Sequence, residues 1–481
     1  MGSPMKVLTR ASALELAGWV RRGELSATEV VTAHLERIDT LNPRINAFCT
    51  VTHESALAAA HDLDQRLAAG EHAGLLAGVP IGLKDLTPTR GIRTTRGSRL
   101  FANHVPEADA EIVRRLRQQG AIVVGKTNTP EFGHKGVTDN QLFGPTRNPW
   151  RPDLVAGGSS GGSSAAVVAG MVPLAEGSDG AGSIRIPAAL CGCVGMKPSF
   201  GRVPDVATPF SSHSPFFHNG ALSRSVADCC LMLKVMAGFF AGHPFSVPDD
   251  GLVWDIVEES EPPLRIAYSP DLGYFPIESE VASRCTDALA HLEKAGCRIE
   301  EVSVPLDASV EDSFMTFWRL KSVAQYGHLS SDELALLEPR VRQLIAEGRE
   351  LGANDLARAN RERERVWQVF RSVFDAYDLL LTPTTAVAAF PLDGAPPTLI
   401  NRQPVNPLIG WFLTYPVNLT GHPAASVPCG MTDGGLPVGL QIIGPRLADR
   451  SVLTLAAMVE RLLPWPMPSD RLLREETDGR V

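Results

Sequence analysis

The sequence predicts an α/β fold around one large, mostly parallel or mixed sheet, and three observations predict it. Short apolar runs alternate with helical stretches from Gly78 onward. The run Ala121–Val124 is hydrophobic at every position, as a strand covered on both faces must be. Leu264–Tyr268 and Arg298–Val302 flank a helical stretch at 278–295, which gives a β-α-β unit. With 481 residues, 44% of them hydrophobic, the chain has the apolar material for a sizeable core.

In chain order, residues 12–40 predict two helices. Leu14, Leu16, Trp19 and Val20 form the apolar face of the first, and Gly23 ends it. Ser26-Ala27-Thr28-Glu29 matches a capping box that opens the second. That helix turns Val30, Val31, Leu35 and Ile38 inward, with Asn42-Pro43 as its stop. A strand at Ala47–Val51 and a helix over 53–69 follow. Val79–Leu83 predicts a strand, 107–119 a helix closed by Gly120, and Ser163–Ala169 a helix of residues small enough to pack closely. Ser225–Met236 is helical, and 307–376 reads as mostly charged helix with Arg361–Arg365 as a solvated face. Late strands at Leu379–Leu381, Ala424–Val427 and Gly439–Ile443 precede a last helix at 450–462. The proline-rich piece 391–408 predicts a long loop, either rimming a site or crossing the surface.

Composition excludes several classes. The 45 basic and 54 acidic residues give a net charge of −9 and a pI near 5.8. That balance argues against a nucleic-acid or anionic-membrane partner, since both attract basic patches. Eight scattered cysteines are not a disulfide framework, and Cys191-Gly-Cys193 has no second ligand pair, so no metal and no cofactor are expected. No leader and no bilayer-length apolar run stands out, which predicts a cytoplasmic protein; Met1-Gly2-Ser3-Pro4 reads as a cloning addition before Met5.

Chemistry concentrates in two glycine-rich turns. Gly157-Gly-Ser159-Ser160-Gly-Gly162 and Gly177-Ser-Asp179-Gly180-Ala181-Gly182-Ser183-Ile-Arg185 place two serines 24 residues apart (183 − 159). A glycine-rich turn lets several N–H groups point at one place, and a serine attacking a carbonyl needs such donors for the oxyanion. A serine also needs a base. No histidine stands inside these motifs; His134 and His213 are the nearest, without an orienting acid at a recognisable spacing. Lys84 is the alternative base, because a strand carrying it inward would disfavour its ammonium form. Standing alone, Lys84 would read more readily as an exposed strand-end lysine paired with Asp85 than as a base.

Lys84, Ser159 and Ser183 together resemble the Ser–Ser–Lys machinery of the amidase signature family. The likeness extends to Lys126-Thr127-Asn128-Thr-Pro-Glu131-Phe132, Gly195-Met-Lys197-Pro198, Gly201-Arg202-Val203-Pro204 and Ser223–Asp228. At the C-terminal end it includes Asn418-Leu-Thr420-Gly421-His-Pro423 and Gly435-Leu-Pro437-Val-Gly439-Leu-Gln441. The resemblance implies a single domain over 1–481, a twisted mixed sheet between helical layers. Its core would cover 10–240 and 378–462, with a more variable helical, substrate-facing region over 241–377. It implies a cis peptide before Ser159, and a relay in which neutral Lys84 draws a proton from Ser159 and Ser159 one from Ser183. The N–H groups of Gly180, Ala181, Gly182 and Ser183 would hold the oxyanion, with Ser160, Asp179 and Arg185 in support.

Two departures bear on substrate. Ala181 stands where most members carry glycine, as in the family's nylon-oligomer hydrolases, which favours a catabolic hydrolase. After Pro204 the chain reads Asp205-Val-Ala-Thr-Pro-Phe210-Ser-Ser-His-Ser-Pro-Phe216-Phe217, an aromatic loop that suggests an acyl or aryl pocket or simply packs onto the core. Arg202, Phe216, Phe217, Trp318 and Trp411 are the expected substrate-binding residues, and the expected substrate is an apolar or aryl amide, with carbamates admitted. A homodimer is compatible with this reading. Three other readings exist. Gly157–Gly161 satisfies the G-x-S-x-G elbow of α/β-hydrolases, although Asn148–Pro152 is a poor lead-in strand. A component of a glutamyl-tRNA amidotransferase-like complex would act only with partners. A catalytically silent binding protein of the same fold is disfavoured, because all three triad positions are filled.

Overall fold

Each of the first two helices opens at a serine that exchanges hydrogen bonds with a glutamate three residues on. In the computed structural model, which describes residues 7–204, 217–248, 254 and 264–469, Ser12 caps Ala13–Arg21 through Glu15 and Ser26 caps Ala27–Ile45 through Glu29. The second helix runs past Pro43. Asn46 ends it in the left-handed region (φ 55°) with its N–H on Asn42 O, and the Asn42 side chain bonds Phe48 N–H (2.7 Å) and Phe48 O (2.9 Å). A proline in a last turn removes one donor only, so it did not stop the helix here. The helix expected from 107 opens at Glu111 instead. Asp109 is held by the Arg90 N–H (2.7 Å) and by Arg117 (2.9 Å) outside it.

The strands are β1 (Phe48–Val51), β2 (Pro80–Lys84), β3 (Ile122–Thr127), β4 (Leu174–Asp179), β5 (Val194–Lys197), β6 (His218–Ser223), β7 (Arg265–Tyr268), β8 (Arg298–Glu301) and β9 (Leu379–Pro383). The two-residue pair β10 (Leu399–Ile400) and β11 (Gln403–Pro404) forms a small hairpin in the proline-rich loop, and β12 (Ala424–Met431) and β13 (Pro437–Ile443) close the set. Among the described residues, eleven strands form one mixed sheet in the order β1-β3-β2-β4-β6-β5-β12-β13-β9-β7-β8. The expected β-α-β unit is present: β7 and β8 are parallel neighbours joined through the helix Ser279–Lys294.

Alternation along the strands assigns two helical layers. Ile266, Tyr268, Leu379 and Leu381 face the layer that holds the helices Ala13–Arg21, Ala27–Ile45, Val226–Met236, Ser279–Lys294 and Asp449–Leu462. Ala267 and Leu380, one residue out of phase, pack instead with Ala308–Tyr326, Ala353–Ala376 and Tyr415–Thr420. The helices of the charged stretch 307–376 are therefore one layer over the sheet. Among the described residues no helix is long and apolar enough to cross a membrane.

Strands β2 and β4 matter most for the site. They are parallel neighbours, paired Ile81↔Leu174 and Gly82↔Ala175, so their carboxyl ends emerge on the same side. Lys84 ends one and Asp179 the other. The helix Gly161–Val168 packs on both and also approaches the ends of β1 and β3, where a Cβ on Gly162 would collide with Asn128 N and Ala47 O.

Candidate active site

Strand β2 carries Lys84 inward, and its side chain is fully buried. Nζ lies 2.7 Å from Ser159 Oγ, 3.0 Å from Ser178 Oγ and 3.4 Å from Ser178 O. Burial pulls the lysine down to about 7, against the charges of Glu176 and Asp179 and with that of Lys321. Asp85 does not pair with it: its carboxylate accepts the Thr95 N–H and the Thr95 hydroxyl, the latter at 2.5 Å.

Ser159 is 2% exposed, and the Gly158–Ser159 peptide is cis. Ser160 ties the two glycine-rich turns together. Its N–H donates to Ser183 O (3.1 Å), and its hydroxyl donates to Ser178 O (3.2 Å) and accepts the Ser178 N–H (3.3 Å). Ser183 is 6% exposed. Among the described residues no hydrogen bond joins its hydroxyl to that of Ser159.

The loop after β4 rests on a buried ion pair. Arg185 donates to Asp179 through Nε (2.9 Å to Oδ2) and Nη2 (2.9 Å to Oδ1), both side chains fully buried. Burial alone would push the Asp179 carboxyl up, but the guanidinium and its hydrogen bonds hold it well below the usual carboxylate range. Arg185 also donates to Gln441 Oε1 (2.6 Å), Asn418 Oδ1 (2.6 Å) and Thr414 O (3.1 Å), and Asn418 Nδ2 donates to Asp179 Oδ1 (2.8 Å). The C-terminal motifs around Asn418 and Gln441 thus anchor this loop, a role that spacing alone could not assign.

One of the four expected oxyanion donors is otherwise engaged. The Gly182 N–H donates to Asp179 Oδ1 (2.7 Å), because the carboxylate held by Arg185 lies beneath the loop. The donors that remain are on Gly180, Ala181 and Ser183. Gly182 has φ 126°, and a Cβ there would stand 1.9 Å from Thr414 Oγ1. Ala181 is not among the residues of positive φ, so its Cβ is admitted without strain.

Two of the expected substrate-binding residues stand at this loop. A Cβ on Gly180 would lie 3.3 Å from both the Phe217 and the Trp318 rings. Lys321 Nζ sits 4.2 Å from the Trp318 centroid and 5.1 Å from that of Phe217, and Trp318 stacks on Phe314. Trp411, 1% exposed, lines a cavity of about 450 Å³ with Val137, Phe390 and Leu408, which does not include Lys84, Ser159 or Ser183. Arg202 is turned to Asp449 (3.5 Å) and to Leu447 O (3.5 Å). Phe210, His213 and Phe216 lie outside the described residues.

His134 is not the missing base. Burial brings it to about 3, its Nδ1 sits 2.8 Å from Glu131 O, and Glu338 is 3.7 Å from Nε2. Nor does a strand lead into Gly157, so the α/β-hydrolase elbow is not formed. Sequence reasoning missed Ser178 and Glu176, both on a strand without an apolar pattern. A buried amine beside a serine hydroxyl, next to a second serine on a loop of main-chain donors, is equipped to move a proton and to stabilise a tetrahedral anion. Among the described residues no cluster of His, Cys, Asp and Glu is arranged to hold a metal ion.

Comparison with known proteins agrees with that chemistry. A family model described as Amidase matches residues 29–453. The chain is 40% identical over 469 residues to an acylamidase of Rhodococcus erythropolis, covering 96% of this chain and 98% of that protein. It is 37% identical over 507 residues to a glutamyl-tRNA(Gln) amidotransferase component of Salinispora tropica, covering 97% of this chain and 100% of that one. Among solved structures it is similar to a bacterial aryl acylamidase of the amidase signature enzymes, with a TM-score of 0.89 and 32% identity over 95% of this chain and 96% of the other.

Proposed function

This chain belongs to the amidase family and is an amide-hydrolysing enzyme, and from that premise we propose that it cleaves apolar or aryl amides, carbamates included, through an acyl-enzyme on Ser183. The observation that carries the reading is the buried Lys84 amine 2.7 Å from Ser159 Oγ.

In the proposed cycle neutral Lys84 takes the Ser159 proton while Ser159 takes that of Ser183, whose Oγ attacks the carbonyl carbon. The contact between the two hydroxyls tightens only with substrate in place, as catalytic hydrogen bonds of free enzymes often do. The N–H groups of Gly180, Ala181 and Ser183 face the oxyanion, each worth on the order of 3 kcal/mol of barrier. Ser159 returns its proton to the leaving nitrogen, the amine departs, and water cleaves the ester by the reverse path. Trp318 and Phe217 supply an apolar wall for an aryl or acyl group, and the similarity to an acylamidase supports that preference. A carbamate requires the same three residues and room for one oxygen beside the carbonyl. We place the protein in the cytoplasm as one domain.

A second reading, supported by the similarity to the amidotransferase component, is a chain that acts only inside a partner complex. Purified protein with Ser183→Ala as blank separates the two. Arylamine released from a short-acyl nitroanilide, lost in the variant, supports the hydrolase. Silence on anilide, carbamate and primary amide alike favours the partner-dependent reading.

A further inference from the structure

The relay leaves one ionisable neighbour of Lys84 without a part. Glu176 lies in β4, beside β2, and has no exposed surface. Its Oε2 accepts the Lys84 main-chain N–H (3.0 Å) and the Thr87 hydroxyl (3.0 Å). Its Oε1 is buried with no hydrogen-bond partner. A glutamine would serve those two donors without placing an acid there, and an unsatisfied carboxyl oxygen in the interior is costly.

We propose that Glu176 is a positioning residue for the hydrolysis: it fixes the end of β2 that presents Lys84 to Ser159 and supplies the buried negative charge that this lysine faces. The inference rests on the Lys84–Ser159–Ser183 reading above.

The other charges nearby are matched elsewhere. Asp179, also on β4, is held by Arg185. Asp85 faces Thr95 and the buried Lys126 of β3, and the charge of Lys126 bears on Glu176 as well, alongside that of Lys84. Lys126 donates to Thr87 O and to Thr89 Oγ1 (2.9 Å). Lys321 reaches over from the helix Ala308–Tyr326 with a like charge. Glu176 is therefore the acid of β4 beside Lys84 that, among the described residues, forms no ion pair and leaves one carboxyl oxygen without a hydrogen bond. Its negative charge favours the ammonium while burial disfavours it, and burial likewise pushes the Glu176 carboxyl up. Two groups in such balance keep the lysine able to give and take a proton near neutral pH.

The test measures kcat/KM against pH on one nitroanilide for the wild type, Glu176→Gln, Glu176→Asp and Lys84→Ala, with thermal unfolding of each. The pH dependence of Ser183 inactivation by an arylsulfonyl fluoride serves as a substrate-free readout. Glu176→Gln keeps the acceptor and loses the charge, so the acid limb of both profiles should move to lower pH with unfolding close to wild type. An unmoved limb, with Lys84→Ala inactive, overturns the proposal and reduces Glu176 to an acceptor. A Lys84→Ala enzyme that keeps its activity instead sinks the relay itself. Should Glu176→Gln not fold, Glu176→Asp decides: a kcat lower by about tenfold at unchanged KM supports positioning, and wild-type kcat overturns it.

Discussion

Arg185 grips Asp179 with two parallel hydrogen bonds of 2.9 Å while its Nη1 reaches Gln441, 256 residues further along the chain. The pair is buried, so removing one partner strands the other charge in the interior. Its geometry also sets the floor of the Ser183 loop, since the same carboxylate takes the Gly182 N–H.

Arg185→Met should therefore cost roughly 3–5 kcal/mol of stability and most of the activity, measured by chemical denaturation and anilide turnover. The Asp179 carboxyl is lowered on folding, so its contribution is present above the ordinary aspartate range and is lost as the pH falls from that range through the lowered folded value. Acid unfolding of the variant should show a weaker pH dependence there; an unchanged acid limb would remove Asp179 from the account.

Ser183→Ala and Lys84→Ala should each abolish nearly all turnover. Mass spectrometry after a slow aryl ester should show an acyl adduct on the wild type alone. More than roughly a tenth of the activity surviving in Ser183→Ala would be incompatible with a nucleophilic Ser183.

Lys84 must be neutral to act as base, and burial brings it to about 7. Activity should therefore fall on the acid side of that value, by about tenfold per pH unit, and level off above it. A flat profile from about pH 5 to 8 would contradict a lysine base.

Gly182→Ala places a Cβ at 1.9 Å from Thr414 Oγ1 at φ 126°. Strain of roughly 1–3 kcal/mol should lower the melting temperature and distort the loop. Ala181→Gly, at a position of ordinary φ, should leave turnover within a few-fold. Equal effects of the two would mean that the loop relaxes freely.

Trp318→Ala removes one ring of the wall over Gly180. It should reduce kcat/KM for a nitroanilide on the order of tenfold and leave a small primary amide nearly unaffected. Equal losses on both would assign Trp318 to packing.

Much of this was legible in the sequence. Lys84, Ser159 and Ser183 could be named because their motifs are local in the chain and together resemble the amidase signature family; Lys84 by itself carried no such signal. The N-caps Ser12 and Ser26 are equally local. β4 was not legible: Leu174-Ala-Glu-Gly-Ser-Asp179 has no apolar alternation, and its polar side chains bond neighbours that are brought to it only by the fold. For the same reason the anchoring of Arg185 by Asn418 and Gln441 was invisible, although both residues stood in recognisable motifs. Arg202 carried a motif signal and turned out to pair with Asp449. A motif marks that a residue matters in the fold without saying whether it meets substrate.

The clamp of Gln441 and Asn418 on Arg185 has a consequence for synthesis. On the ribosome, Lys84, Ser159 and Ser183 all emerge while the strand that braces their loop has not been made. A nascent chain should remain inert until about residue 441 has left the exit tunnel, so catalytic competence would report completion of the whole sheet. A half-translated polypeptide would then carry no activated serine to react indiscriminately with esters in the cell.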